Sequence, residues 1–440
     1  MEPMTLGLLI LGLTVLLILL RMPVGTAMFL CGAAGFVYVV GSVEVLLAWT
    51  KNVTYARLSN FDLIVIPMFI MMGQFATHGG LSRALFRFVN AVLGRFRGGV
   101  AVATIGACAG FASVCGSSLA TAATMGQVAL PEMRQRGYSP GLATGAVAAG
   151  GTLGILIPPS VPLVIYAILT GESIGKLFIA AIVPAIIAVI GYMLVVMLVV
   201  SRNPQAGPAG VPAALVEILR SFIGVLPVAV VFLVVILSIY RGWASPTEAS
   251  AVEVFACGLI AALSGELKPA GFLQCLLGTA EATVMIFVIL LGADMLNAAL
   301  ALTNMTHQIA DIIVSSGVTP IMIILGMLLI YIVLGCVMES MAIIMLTVPL
   351  FFPIVVQLDL FGLSPQEKSL WFGILALTVV EIGLITPPVG MNVFVVNKMA
   401  RDVSLMETYR GVLPFLISDL LRIALLVAVP ALSLILVKTM

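Results

Sequence analysis

Two segments set consecutive prolines inside long apolar runs: Gly154-Ile-Leu-Ile-Pro-Pro159 and Gly383-Leu-Ile-Thr-Pro-Pro388. A proline offers no N–H to the carbonyl four residues back, and its ring pushes that carbonyl aside. Pro158 and Pro159 therefore release the oxygens of Gly154 and Ile155, and Pro387 and Pro388 those of Gly383 and Leu384. A bare peptide oxygen is costly in hydrocarbon, so these must face protein, water or an ion. Two further segments, Cys115-Gly-Ser-Ser118 and Gly335-Cys-Val-Met-Glu-Ser340, interrupt charge-free stretches with the small and hydroxylated residues that begin helices. Hydroxyls and peptide oxygens are hard ligands suited to Na⁺, and the N-termini of half-helices suit an anion.

The expectation is two or more Na⁺ sites flanking one site for a carboxylate. The first cation site would draw on Ser117, Ser118, Thr121, Thr152 and Gly154 beside the break at Pro158. The second would draw on Gly335, the Met338 carbonyl, Glu339, Ser340, Gly383, Thr386, Pro387 and Asn392. Ser118, Thr121, Ser160 and Ser340 are the hydroxyls placed to hold the acid. Intramembrane acids are functional candidates, and Glu339 and Glu381 sit beside the second tip and the second break, where either could hold a cation or a proton. Asp294 reads as an interface pair or cap, and Asp419 and Arg422, three apart, as an ion pair on one helix face. The two histidines, His78 and His307, lie at the ends of apolar runs, where interfacial roles fit, with no nucleophile or carboxylate constellation around them, so no enzymatic function is expected. Six cysteines inside apolar runs read as core fillers.

The elements that must position these residues are membrane helices. Of 440 residues, 62% are hydrophobic and 9% charged, and the mean hydropathy is +1.25, far from the composition of soluble domains. A net charge of +1 leaves no footprint for nucleic acid. Apolar runs at 4–20, 23–41, 61–78, 142–170, 175–200, 222–240, 248–264, 273–302, 371–398 and 412–437 predict an all-α polytopic membrane protein. The stretches 98–131 and 320–353 are each broken in the middle, leaving halves of about 15 residues, or about 22 Å, too short to cross. They read as re-entrant helical hairpins. Loop Lys and Arg number thirteen on one side and six on the other, which places both termini outside. Segment 81–97, with four Arg and apolar residues at helical spacing, reads as a helix along the cytoplasmic interface.

The halves repeat. Setting Ser117 on Glu339 brings Pro131 onto Pro353 without a gap, and downstream Gly154 falls on Gly383 and Pro184 on Pro414. Five spans separate the starts of the two units, so they sit upside-down to one another, as inverted repeats. The domain reading is 1–60 as N-terminal scaffold and 61–200 as the first unit, with hairpin 98–131 and broken helix 142–170. The central scaffold is 201–272 and the second unit 273–440, with hairpin 320–353 and broken helix 371–398.

The runs Gly116 to Met133, Gly150 to Ser160 and Glu381 to Asn392, in that order, resemble the large membrane subunit of TRAP (tripartite ATP-independent periplasmic) transporters over essentially the whole chain. The resemblance implies a Na⁺-coupled secondary transporter in a bacterial or archaeal inner membrane, importing small organic acids such as sialic acids or C4-dicarboxylates. It implies a periplasmic substrate-binding protein and a small four-helix membrane subunit, here a separate chain, as partners. It also implies an elevator-type fold, with a transport domain carrying both hairpins and a scaffold built largely from 1–50, 175–265 and 412–440. The family often has Asp where Glu339 stands. A self-sufficient Na⁺/carboxylate symporter needing no binding protein is the alternative.

Overall fold

The computed structural model describes residues 2–210, 212–315 and 317–440, and the side chains of all of these except 307, 313 and 314. The reading of His307 as interfacial thus lies outside the described residues. Among them no strand forms; a single isolated bridge joins Arg97 and Ala209. The first helices are α1 (Pro3–Leu19), α2 (Val24–Val40), α3 (Val43–Leu58), α4 (Val65–His78) and α5 (Leu81–Leu93). The first hairpin is α6 (Gly99–Cys115) and α7 (Ser118–Gln135), and the first broken helix is α8 (Pro140–Leu156) with α9 (Val161–Thr170). Then come α10 (Ile174–Arg202), α11 (Leu215–Tyr240), α12 (Pro246–Leu263), α13 (Pro269–Leu302) and α14 (Met305–Ser315). The second hairpin is α15 (Pro320–Gly335) and α16 (Ser340–Gln357), the second broken helix α17 (Pro365–Gly383) with α18 (Met391–Met399), and the chain closes with α19 (Leu405–Ala428) and α20 (Ala431–Leu434).

Both hairpins and both broken helices therefore form where the glycines, hydroxyls and prolines place them. Among the described residues eight segments are long and apolar enough to cross a bilayer, and α1 and α2, at 17 residues each, are apolar but shorter. Helix α16, an arm of the second hairpin, is among the eight at 18 residues. The 34 residues of α13 span about 51 Å at 1.5 Å per residue, well beyond a hydrocarbon core of about 30 Å.

Several boundaries differ from expectation. The second hairpin arms run past Pro131 and Pro353 to Gln135 and Gln357, because a proline inside a helix deletes one hydrogen bond without compelling a stop. Helix α17 begins at Pro365, where Ser364 and Glu367 form a reciprocal capping box. Run 412–437 is α19, started early by a Ser404 cap, followed by the short α20. Helices α3 and α14 appear in no apolar run. Of the apolar positions at helical spacing in 81–97, Leu81 and Leu85 are buried with Phe86 in α5, which packs on α6 and α11, whereas Phe96 is 53% exposed.

The packing also revises one grouping. Helix α13 lies along α2 and α4, and α12 along α4 and α11. By contrast α19 packs chiefly on α8 and α10, and α10 also touches α6 and α17. Residues 175–200 and 412–437 thus sit with the broken helices rather than with the expected scaffold. Their buried faces fit this: Tyr192 of α10 meets Thr152 of α8, Arg422 of α19 meets Glu381 of α17, and Asp419 bridges Tyr192 and Arg422.

Candidate functional site

At the first tip, Gly116 ends α6 with φ +62°, a conformation that glycine adopts without a Cβ penalty. A Cβ placed there would lie 3.1 Å from the Pro159 carbonyl oxygen, so the tip rests on the proline break. Ser117 then caps α7, its Oγ accepting from the Ala120 amide at 3.5 Å. The Ser117 carbonyl accepts from the Thr121 hydroxyl at 2.7 Å. Gly154 closes the site from α8: a Cβ on it would stand 2.6 Å from the Ser117 oxygen and 2.9 Å from Thr121 Oγ1. Ser117, Ser118, Thr121, Gly154 and Pro158 are thereby assembled, with Thr121 and Ser160 fully buried and Ser118 4% exposed.

The second tip repeats this backbone plan with other side chains. Glu339, equivalent to Ser117, is the N-cap, and its carboxylate accepts from the Met341 amide and the Ser340 hydroxyl, each at 3.1 Å. The cap expected from Ser340 is thus supplied one residue earlier, by the Glu339 carboxyl, whose oxygen reaches the first-turn Met341 amide. Gly335 meets Gly383 backbone to backbone; a Cβ on Gly383 would lie 2.4 Å from the Gly335 Cα. The Gly390 amide donates to the Cys336 carbonyl at 3.2 Å, tying tip to break.

The fate of the four released carbonyls is specific. Ile155 accepts from the Ser160 hydroxyl in a short bond, Gly383 from the Thr386 amide at 3.2 Å and Leu384 from the Asn392 amide at 3.0 Å. Among the described residues no hydrogen bond reaches the carbonyl oxygens of Gly154 or Met338. Both are available oxygen ligands. Thr386 bonds its own helix, Oγ1 donating to Ile382 at 2.6 Å. Asn392, fully buried, donates through Nδ2 to the Ala148 carbonyl of α8 at 3.3 Å, joining the units, and its Oδ1 has no partner. The two breaks differ in setting: Pro158 and Pro159 are buried, whereas Pro387 and Pro388 are exposed, with Tyr409 Oη donating to the Pro388 and Val389 carbonyls.

Thr152 and Glu381 do not join the tips. Each lies two residues before its tip-facing glycine, so about 200° around the helix, and points the opposite way. Thr152 Oγ1 donates to Ala149 at 2.8 Å and lies 3.2 Å from Tyr192 Oη. Glu381 is held by Arg422 at 2.8 Å, and Arg422 also pairs with Asp419 at 3.0 Å, so the expected i,i+3 pair forms inside a larger cluster. Tyr192, which donates to Asp419 at 2.7 Å, carries no sequence signal that marks it. Asp294 pairs with Arg57 of α3 through two bonds of 2.6 Å.

Residues 11–432 match the family model for "Tripartite ATP-independent periplasmic transporter, DctM component". The chain is 35% identical to the C4-dicarboxylate TRAP transporter large permease protein DctM of Pseudomonas aeruginosa over 376 residues, 85% of this chain and 86% of that one. It is 29% identical to the sialic acid TRAP transporter large permease protein SiaM of Vibrio cholerae over 94% of both chains. The solved structure of the Alcanivorax borkumensis YdaH transporter superposes with a TM-score of 0.61 at 16% identity, covering 88% of this chain and 89% of that one.

Proposed function

Because the chain belongs to the DctM component family of tripartite ATP-independent periplasmic transporters, we propose that it is the large permease of a Na⁺-coupled importer of small organic acids. The observation that carries the reading is the doubled contact of tip on break, Ser117 on Gly154 and Gly335 on Gly383, each beside a peptide oxygen with no donor. Two Na⁺ ions would sit at these places. The first would use the Gly154 carbonyl with Ser117, Ser118 and Thr121, and the second the Met338 carbonyl with Glu339, Ser340 and Asn392. The acid would lie between the tips, held by Ser118, Thr121 and Ser340 and by the half-helix N-termini. Ser160, already donating to Ile155, would offer its lone pairs only through water.

Substrates of C4-dicarboxylate or sialic acid type follow from the similar permeases. A tripartite system calls for a periplasmic binding protein and a small membrane subunit, and the positive-inside bias for an inner-membrane location with both termini outside. Sliding of the body built on α6–α10 and α15–α19 against α2, α4 and α11–α13 would move the site across the membrane. The test is counterflow of labelled acids by the liposome-reconstituted complex, with and without a Na⁺ gradient and with and without binding protein. Uptake requiring both supports the reading; uptake without binding protein makes the chain a self-sufficient symporter, and no Na⁺ dependence overturns the coupling.

A further inference from the structure

The face of α8 and α17 that points away from the tips carries a continuous buried line of polar contacts. Thr152 Oγ1 stands 3.2 Å from Tyr192 Oη, Tyr192 donates to Asp419 Oδ2 at 2.7 Å, Asp419 Oδ1 lies 3.0 Å from Arg422 Nη2, and the same Nη2 lies 2.8 Å from Glu381 Oε2. All five residues are 3% exposed or less. The ends of the line are equivalent positions of the repeat: the register that sets Gly154 on Gly383 sets Thr152 on Glu381. Each end is two residues from the glycine seated on its own tip. A shift of α8 driven by ion binding at the first tip is therefore felt at Glu381, and the reverse.

Transmission also needs an element with two arrangements. Arg422 supplies it. One nitrogen serves both carboxylates, while Nε and Nη1, like Glu381 Oε1, have no partner among the described residues. A guanidinium prefers a two-bond fork on one carboxylate. Here it can fork on Glu381, which holds α17 to α19, or on Asp419 of its own helix, which releases α17.

Resting on the Na⁺-coupled reading above, we propose that Thr152, Tyr192, Asp419, Arg422 and Glu381 are positioning residues that couple the two ion sites, so that occupancy of one raises the affinity of the other.

The experiment measures Na⁺ dependence of acid uptake by the reconstituted complex for wild type, Y192F, T152V, E381Q and a remote control, D294N. Wild type should respond cooperatively. Y192F removes only the hydroxyl joining α8 to the acids, and it should bring the Hill coefficient toward unity and raise half-saturating Na⁺ about fivefold or more, the lower range of allosteric couplings. T152V should act alike, and E381Q more strongly where it folds. D294N should leave the Hill coefficient unchanged even if it melts earlier, which separates coupling from stability. A cooperative wild type whose Y192F and T152V variants keep its Hill coefficient overturns the coupling and leaves the Na⁺ reading intact. A non-cooperative wild type also overturns it. A wild type indifferent to Na⁺ removes both.

Discussion

Gly383→Ala is the most direct challenge to the second site. The new methyl would sit 2.4 Å from the Gly335 Cα and 2.6 Å from its carbonyl carbon, about 1 Å short of ordinary contact, which begins at 3.4 Å. Both neighbours are backbone, so no side chain can rotate away, and the tip must retreat from the break by roughly that distance. Forced overpacking of this kind costs about 1–3 kcal/mol. Retreat also moves the second tip away from the break that Gly390 ties to Cys336, so Na⁺ at the proposed second site would have to oppose the strain. Half-saturating Na⁺ for uptake should rise at least about tenfold, equivalent to about 1.4 kcal/mol. Gly326→Ala, on the α15 arm that carries Gly335 and with nothing within 4 Å, is the control. It should leave transport unchanged and gain about 0.5–1 kcal/mol of helix stability. Uptake titrated against Na⁺, alongside thermal melting in detergent, reads both effects. A wild-type Na⁺ curve for Gly383→Ala, or equal damage from Gly326→Ala, would falsify the tip-on-break account.

Ser118→Ala and Ser340→Ala should each raise half-saturating Na⁺ measurably but by less than about tenfold, since one ligand of neutral hydroxyl type is worth about 1 kcal/mol; unchanged curves in both would remove these two hydroxyls from the ligand sets. Arg57→Ala should destabilise the fold by about 1.5–3 kcal/mol, because Asp294, its side chain 10% exposed, loses two charge-assisted bonds. The double change with Asp294→Ala should cost less than the sum of the singles in thermal melting. Glu367, paired with Lys438 at 2.8 Å and capping α17, is held down from 4.5 to about 2. A depressed acid stabilises the fold above its unfolded value and loses that contribution as pH falls through the folded one. Melting of wild type should therefore drop between about pH 4.5 and 2 more steeply than that of Glu367→Gln; parallel curves would show that the pair contributes nothing.

The breaks and tips were legible because they rest on backbone chemistry that few residues supply. Pro158, Pro159, Pro387 and Pro388 cannot donate, and Gly116 alone suits φ +62° at the first tip. Helix α3 was hidden because Lys51, Asn52 and Arg57 interrupt its apolar residues, and none of its side chains is buried. Nearness in sequence sets Thr152 beside Gly154, although two steps along a helix face opposite ways. Tyr192 could not be found, since its meaning comes from Asp419, 227 positions away.

What the two units share sharpens this division. They repeat the N-cap at 117 and 339 and the contact glycine at 154 and 383, whereas the donor-free oxygens of Gly154 on the first break and Met338 on the second tip are not equivalent positions. They do not repeat the cap's chemistry, Ser against Glu, nor the residue two before the glycine, Thr against Glu. A feature that survives inversion of the whole unit is set by the main chain, so the proposed ion cages would be main-chain structures first, trimmed by side chains that differ. Crowding the backbone at Gly154 or Gly383 must then disturb Na⁺ dependence more than deleting any single hydroxyl. The reverse ranking would make the side chains primary and the shared geometry incidental.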